Sequence, residues 1–255
     1  MLTTDYRTGS PNWLDLGSPD TAAAAAFYGA VLGWTFRSAG PEAGGYGFFQ
    51  LDGRTVAALG PLTEEGAQSA WTLYFATPDV DATAKTAEQA GGTVRVEPGD
   101  VFDAGRMAAL TDPQGGRFAV WQAGRTAGLD LAGAPGSFCW AELHTPDSAV
   151  AVAFYRALFG WRTEQVEVPG MTYTVVSVAE GDQQDASFGG IAPSEHSEAG
   201  WLPYFEVADP DAVIERAVAG GGEVLLPGMD APGIGRMAWL HDPFGARFAV
   251  IRSEA

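Results

Sequence analysis

Glu142 and His144 stand two residues apart in the run Cys139-Trp140-Ala141-Glu142-Leu143-His144. Side chains alternate between the two faces of a β-strand, so these two share one face. A carboxylate beside an imidazole can pass protons as an acid–base pair, because an unperturbed imidazole titrates near neutral pH. With a further carboxylate the same pair can bind a divalent cation. The other two histidines invite blander roles. His241 precedes an Asp-Pro turn that it would cap or hydrogen-bond, and His196 lies in the polar loop Pro193-Ser194-Glu195-His196. Cys139, the single cysteine, has no basic helper nearby to favour its thiolate, and it reads as core.

Composition narrows the classes. The chain of 255 residues carries 14 Lys and Arg against 32 Asp and Glu, a net charge of −18. A phosphate backbone demands clustered basic contacts, so nucleic acid is not an expected partner. One cysteine rules out an internal disulfide. No stretch approaches the roughly 18 apolar residues of a membrane span, and the amino terminus lacks a basic region followed by an apolar run. The expectation is a cytoplasmic protein without membrane contact. Lys85 is the only lysine, and the skew to Arg with abundant Ala and Gly matches a high-GC genome.

The elements that must carry these residues are given by a repeat. The segment from Trp13 to Trp34 matches that from Trp140 to Trp161 at an offset of 127. Trp71–Ala82 matches Trp201–Ala212, and Gly105–Val120 matches Gly235–Val250, both at an offset of 130. The halves span 1–122 and 138–255, joined by a Gly/Ala/Pro-rich linker at 123–137. Each half also repeats internally as strand, helix and three strands. Ser18-Pro19-Asp20 opens the first helix, with Ser read as N-cap, Pro at N1 and Asp at the positive end of the dipole. Gly33 and Gly160 close the two equivalent helices. Asp112-Pro113-Gln114-Gly115 and Asp242-Pro243-Phe244-Gly245 read as type I turns between the last two strands of each half. Trp34 and Trp161, just past the helix ends, read as core, and Arg106 and Arg236, in Gly-Arg-Met, as holding loops.

Four βαβββ modules, helices ending Phe-Tyr-x-Ala-x-x-Gly-Trp, and an Asp-Pro-x-Gly turn before each final strand resemble the vicinal-oxygen-chelate (VOC) superfamily. This is the glyoxalase, bleomycin-resistance and dioxygenase group, and the likeness is closest to actinobacterial tandem VOC proteins labelled glyoxalase-like or hydroxylase. The resemblance implies an α+β tandem VOC fold: four βαβββ modules forming two cupped mixed sheets with helices on the outside. In the metal enzymes of this group, His, Gln or Glu side chains hold a divalent ion in the cup. The matching positions here are Trp13, Ala57, Thr72 and Ala119 in the first half, and Trp140, Gly189–Ile191, Leu202 and Ala249 in the second. None is a usable ligand, so the resemblance implies no metal at the inherited site and no cofactor.

Strand alternation names the other residues on the inherited ligand face. Candidate ligand-binding residues are Trp13, Asp15, Tyr74, Arg117 and Trp121 in the first cup, and Trp140, Tyr204 and Arg247 in the second. Glu142, His144 and Glu206 are the candidate catalytic set, which could also form a relocated divalent-metal site. The structural alternative pairs Arg117 with Asp15 and Arg247 with Glu142 as buried ion pairs closing filled cups. Three functions follow. One is metal-independent binding of an aromatic or apolar metabolite or antibiotic. The second is a glyoxalase-like lyase, isomerase or hydroxylase acting on a reactive carbonyl or natural product. The third is a non-catalytic interaction protein. A monomer or homodimer with a small-molecule ligand is the expected assembly, since the tandem supplies the pairing within one chain.

Overall fold

In the computed structural model, residues 2–64, 66–168, 170–195 and 199–254 are described. His196 lies outside them.

The first half runs β1 (Pro11–Ser18), α1 (Thr21–Leu32), β2 (Thr35–Ser38), β3 (Gly47–Leu51), β4 (Arg54–Pro61), β5 (Ala70–Ala76), α2 (Val80–Gln89), β6 (Thr93–Val101), β7 (Gly105–Thr111) and β8 (Arg117–Ala123). The second repeats the order as β9 (Phe138–Thr145), α3 (Ser148–Phe159), β10 (Arg162–Val168), β11 (Met171–Ser177), β12 (Ser187–Pro193), β13 (Gly200–Glu206), α4 (Pro210–Ala219), β14 (Glu223–Ala231), β15 (Gly235–His241) and β16 (Arg247–Ser253). The strands form two eight-stranded mixed sheets, β2-β3-β4-β1-β5-β8-β7-β6 and β10-β11-β12-β9-β13-β16-β15-β14. β1 runs parallel to β4, β5 to β8, β9 to β12 and β13 to β16, while the outer pairs are antiparallel hairpins. This is the α+β tandem VOC fold.

Helix entry differs from expectation by two residues. Asp20 is itself the N-cap of α1, its carboxylate accepting the Ala23 N–H, and Asp147 caps α3 on the N–H groups of Ala149 and Val150. Ser18 instead bonds the Asp20 N–H from outside the helix. A carboxylate offers a stronger acceptor than a hydroxyl to helical donors at the positive pole, so Asp takes the cap. The exits follow expectation, with Gly33 at φ 77° and Gly160 at φ 67°, left-handed values that favour glycine.

Packing sorts the modules into two compact units. One combines residues 14–71, 129–139 and 203–254, and the other 2–13, 72–128 and 140–202. In the first unit α1 packs on α4, and in the second α2 packs on α3. Each unit has an aromatic core of the same design. Trp34 stacks on Tyr28 and meets Phe49, Trp71 and Phe205, and its Nε1–H donates to the Gly136 carbonyl. Trp161 stacks on Tyr155 and meets Phe75, Phe188 and Trp201, and its Nε1–H donates to Gly9. Both tryptophans are core, as expected from their positions.

The connection between the halves is bonded along its length. Asn12 Nδ2 donates to Ala127 O and Trp121 Nε1 to Thr126 O in one unit, while Asp130 accepts the Thr55 N–H in the other. Arg106 ties Asp81 on α2 to Asp100 on β6, and Arg236 ties Asp211 on α4 to Asp230 on β14. These arginines clamp helix to strand rather than loop to loop. Among the described residues no helix is long and apolar enough to cross a membrane.

Candidate functional site

β9 presents Trp140, Glu142 and His144 on one face, as alternation requires. Its parallel neighbour β12 places Gly190 beside Glu142 and Ala192 beside His144. β11, the next strand out, brings in Tyr173. The four polar groups form a chain. Trp140 Nε1–H donates to the Tyr173 hydroxyl oxygen at 3.0 Å, and that hydroxyl donates to Glu142 Oε2 at 2.8 Å. Glu142 Oε1 meets His144 Nε2 at 2.7 Å. Both carboxylate oxygens are thus held, and the imidazole is oriented by one of them. The side chains of Glu142 and His144 are 10% and 11% exposed, so the pair is sheltered but reaches solvent. Burial first, and the charge of Glu142 second, push the Tyr173 phenol well above its ordinary pKa, which keeps it a proton donor.

Gly190 is required by this geometry. A Cβ there would run into the ring and hydroxyl of Tyr173. Gly190→Ala must push Tyr173 away from Glu142, leaving a buried phenol and a carboxylate oxygen without each other. The expected loss is about 1–3 kcal/mol in chemical denaturation. An unchanged midpoint with the bond intact in a crystal structure would contradict it.

The first half holds a simpler version of the same cluster. Tyr46 Oη donates to Asp15 Oδ2 at 3.2 Å, and Gly60 leaves room for the Tyr46 ring. Tyr46 and Tyr173 stand 127 residues apart, the offset of the repeat, yet sequence reasoning missed both. These tyrosines also correct the expected ion pairs. Asp15 and Glu142 bond phenols, and no ion pair of Arg117 or Arg247 occurs among the described residues. A phenol leaves the carboxylate charged without placing a second charge in the interior. Where the second half has His144 the first has Gly17, whose own Cβ position is crowded by Leu62.

Glu206 accepts the backbone N–H of Ser253 at 3.0 Å and its hydroxyl at 2.6 Å. Tyr204 accepts the Trp239 indole N–H at 2.8 Å. Trp121 is buried against Gly105, Tyr74 and Trp13 are half-buried, and Arg117 is exposed. Arg247 is partly buried and its Nε has no hydrogen-bond partner among the described residues. His241 faces Glu223, with Nδ1 3.8 Å from its carboxylate, rather than the turn it precedes. Asp242 closes that turn itself, accepting the N–H groups of Phe244 and Ala246. Cys139 is buried, its thiol bonded to the Tyr204 carbonyl and pushed well up in pKa chiefly by burial. A cleft of about 500 Å³ lies elsewhere, lined by Leu2, Arg7, Ser10, Val178, Asp182 and Phe188.

No group of three His, Cys, Asp or Glu side chains among the described residues is placed to hold an ion. Glu142 and His144 come together, and Glu206 bonds Ser253. The positions that the resemblance would give to metal ligands carry indole, aliphatic, hydroxyl or glycine groups, which do not fit a divalent cation.

Comparison with known proteins agrees with this architecture. The model of the Glyoxalase/Bleomycin resistance protein/Dioxygenase superfamily matches residues 10–120 and again 138–250. The chain is 40% identical to the anthracycline biosynthesis protein DauV of Streptomyces sp. (strain C5), over 97% of this chain and 94% of that one. It is 38% identical to the putative glyoxylase CFP32 of Mycobacterium bovis, over 97% and 96%. Among solved structures, the Mn(II)-bound glyoxalase of Novosphingobium aromaticivorans superposes with a TM-score of 0.63 at 20% identity, covering 96% of this chain and 82% of that one. The 2,3-dioxygenase LapB of Pseudomonas sp. KL28 gives 0.67 at 15%, covering 97% and 94%. At those identities the structures speak for the fold alone. The two matched halves and the full-length relatives place the chain in the Glyoxalase/Bleomycin resistance protein/Dioxygenase superfamily.

Proposed function

We propose that this chain binds a planar aromatic small molecule without a metal ion, at the face of β9 that carries Trp140, Glu142 and His144. One observation carries the reading: where its superfamily resemblance expects metal ligands, the chain places indole and aliphatic groups, and beside Trp140 it builds a chain of hydrogen bonds ending in a sheltered Glu–His pair. An aromatic wall with a few fixed polar groups is how small-molecule sites orient a flat ligand. A relative concerned with anthracycline biosynthesis, 40% identical across nearly the whole chain, points to a polycyclic aromatic ligand.

The test is a fluorescence titration with an anthraquinone sulfonate, with and without EDTA. Saturable binding is expected, unchanged by the chelator. Trp140→Ala is expected to weaken it about tenfold or more, the scale of losing an aromatic anchor. Absence of saturable binding, or binding that EDTA abolishes, would overturn the reading.

A further inference from the structure

We propose that Arg247 on β16 anchors a second small-molecule site, one that takes the carboxylate of a ligand whose flat apolar body lies along β14 and β15. The site is built from residues 223–251 alone, and it does not rest on the reading of the β9 face.

The starting point is a sheltered cation without a counter-charge. Among the described residues six arginines are half-buried. Arg7 pairs with Asp5, Arg106 with Asp81 and Asp100, and Arg236 with Asp211 and Asp230. Arg162 donates to the Val178 carbonyl, and Arg95 is engaged as well. Arg247 forms no ion pair, and its Nε is shut off from solvent without an acceptor. A buried donor left unmatched costs free energy, and an uncompensated charge costs more. Its two Nη groups are not enclosed in this way, so the outer edge of the guanidinium is the open one. That edge matches a carboxylate bidentately.

Strand register fixes what lies beside this cation. On β15, His241 stands opposite Arg247, Trp239 opposite Ala249 and Met237 opposite Ile251. On β14, Leu226 stands opposite Trp239 and Met229 opposite Met237. Residues paired across a ladder share a face, as do residues two apart on one strand. From Arg247 this face therefore turns apolar through Leu226, Met237 and Met229, the last 43% exposed. Unbranched methionines adapt to apolar bodies of different shape. Glu223, the carboxylate in the Arg247 row, lies two strands away and faces His241.

The repeat supplies a comparison within the same chain. Arg117, the counterpart of Arg247, is exposed, so water meets its charge. Val96 and Gly99 stand where the second half has Leu226 and Met229. The second half thus shelters the cation and enlarges the apolar face beside it, and a ligand that is anionic at one end and apolar along its length matches both changes.

The probes are 2-naphthoate and its uncharged analogue 2-naphthamide, titrated into the full chain by isothermal calorimetry. Both the wild type and Trp140→Ala are used, so that binding at the β9 face is counted separately. Naphthoate is expected to bind saturably and at least tenfold more tightly than naphthamide in both proteins. Acetate, which lacks the apolar body, should bind at least tenfold more weakly than naphthoate. Arg247→Met should weaken naphthoate about 10- to 100-fold, the span of one charge-assisted hydrogen bond, and leave naphthamide unchanged. Arg117→Met should change naphthoate affinity less than about threefold. The Arg247→Met protein should unfold in urea at a midpoint no lower than that of wild type, because it loses no bond. Equal affinity for naphthoate and naphthamide, acetate binding as tightly as naphthoate, or an Arg247→Met variant with unchanged affinity overturns the proposal. A lowered urea midpoint does so too, since it would give Arg247 a structural partner. If the preference for naphthoate disappears in Trp140→Ala, the carboxylate is recognised at the β9 face, and this site falls while the binding reading stands.

Discussion

Replacing Trp161 by alanine lowers the stability of the protein by about 3–5 kcal/mol, the range for emptying a buried aromatic site. The indole is the centre of its unit's core. It stacks on Tyr155 with ring centroids 4.9 Å apart, meets Phe75 at 5.2 Å and Phe188 at 5.0 Å edge-on, and donates to the Gly9 carbonyl at 2.9 Å. Truncation therefore removes apolar burial, ring–ring contacts and a hydrogen bond to a buried carbonyl together. The space cannot close easily, because the surrounding side chains are themselves large rings fixed by one another. For a chain of this size a melting temperature lower by about 10 °C or more is expected. Trp161→Phe keeps much of the stacking and loses the hydrogen bond, so it should cost about 1–2 kcal/mol. A Trp161→Ala variant within 1 kcal/mol of wild type in urea unfolding would show that the core repacks, contrary to this account.

The same tryptophan shows why the fold was readable from sequence. Its place after Gly160 repeats that of Trp34 after Gly33, and a repeat of that length carries element order, helix exits and turn positions with it. Strand alternation then correctly paired Glu142 with His144, because both lie on one strand and a period of two needs no long-range information. The site's third member was not legible in that way. Tyr173 reaches Glu142 from two strands away, and β11 meets β12 through a register shift at Val176/Ser177, so parity cannot be carried across. The β3–β4 pair shifts similarly between Phe49 and Gln50. Only the matching offset of Tyr46 and Tyr173 could have flagged them. The bond between Tyr28 and Asp242 spans 214 residues, and nothing local in either segment announces it.

The two halves are therefore alike in what holds them and unlike in the polar side chains they carry on equivalent strands. Carboxylate–tyrosine pairs and glycine clearances recur in both, and they account for the shared scaffold. The histidine has no counterpart, and neither does Trp239 on Tyr204, whose place in the first half is taken by Ala109 beside Tyr74. Duplication leaves one copy free to keep the structural role while the other changes, so differences between equivalent positions are where function is to be sought.

Asp112→Ala is expected to destabilise the protein by about 3 kcal/mol or more, while Asp112→Asn costs about 1 kcal/mol at neutral pH. The Asp112 carboxylate is 3% exposed and does three things at once. It accepts the Gln114 N–H at 2.8 Å and the Gly116 N–H at 2.9 Å, closing the turn, and it accepts the Tyr155 hydroxyl at 3.1 Å. Alanine strands all three donors, whereas an asparagine oxygen still accepts from the turn. The pH response separates charge from hydrogen bonding. Burial raises the Asp112 pKa above its usual value, only partly opposed by the Gly116 and Gln114 N–H groups and the Tyr155 hydroxyl. The folded state then holds the proton more tightly than the unfolded chain, so protonation favours folding. That contribution is fully present below the unfolded pKa, near 3.8, and is lost as pH rises through the higher folded value. Asparagine has no such proton, and the other acidic groups are common to both proteins. The stability gap between wild type and Asp112→Asn should therefore widen on going from pH 7 toward pH 3.5, measured by urea unfolding at each pH. The same widening is expected for Asp242→Asn, whose carboxylate is raised by burial in the same way and bonds Tyr28. A gap that narrows on acidification would mean that hydrogen bonds to the ionised form outweigh burial at this turn.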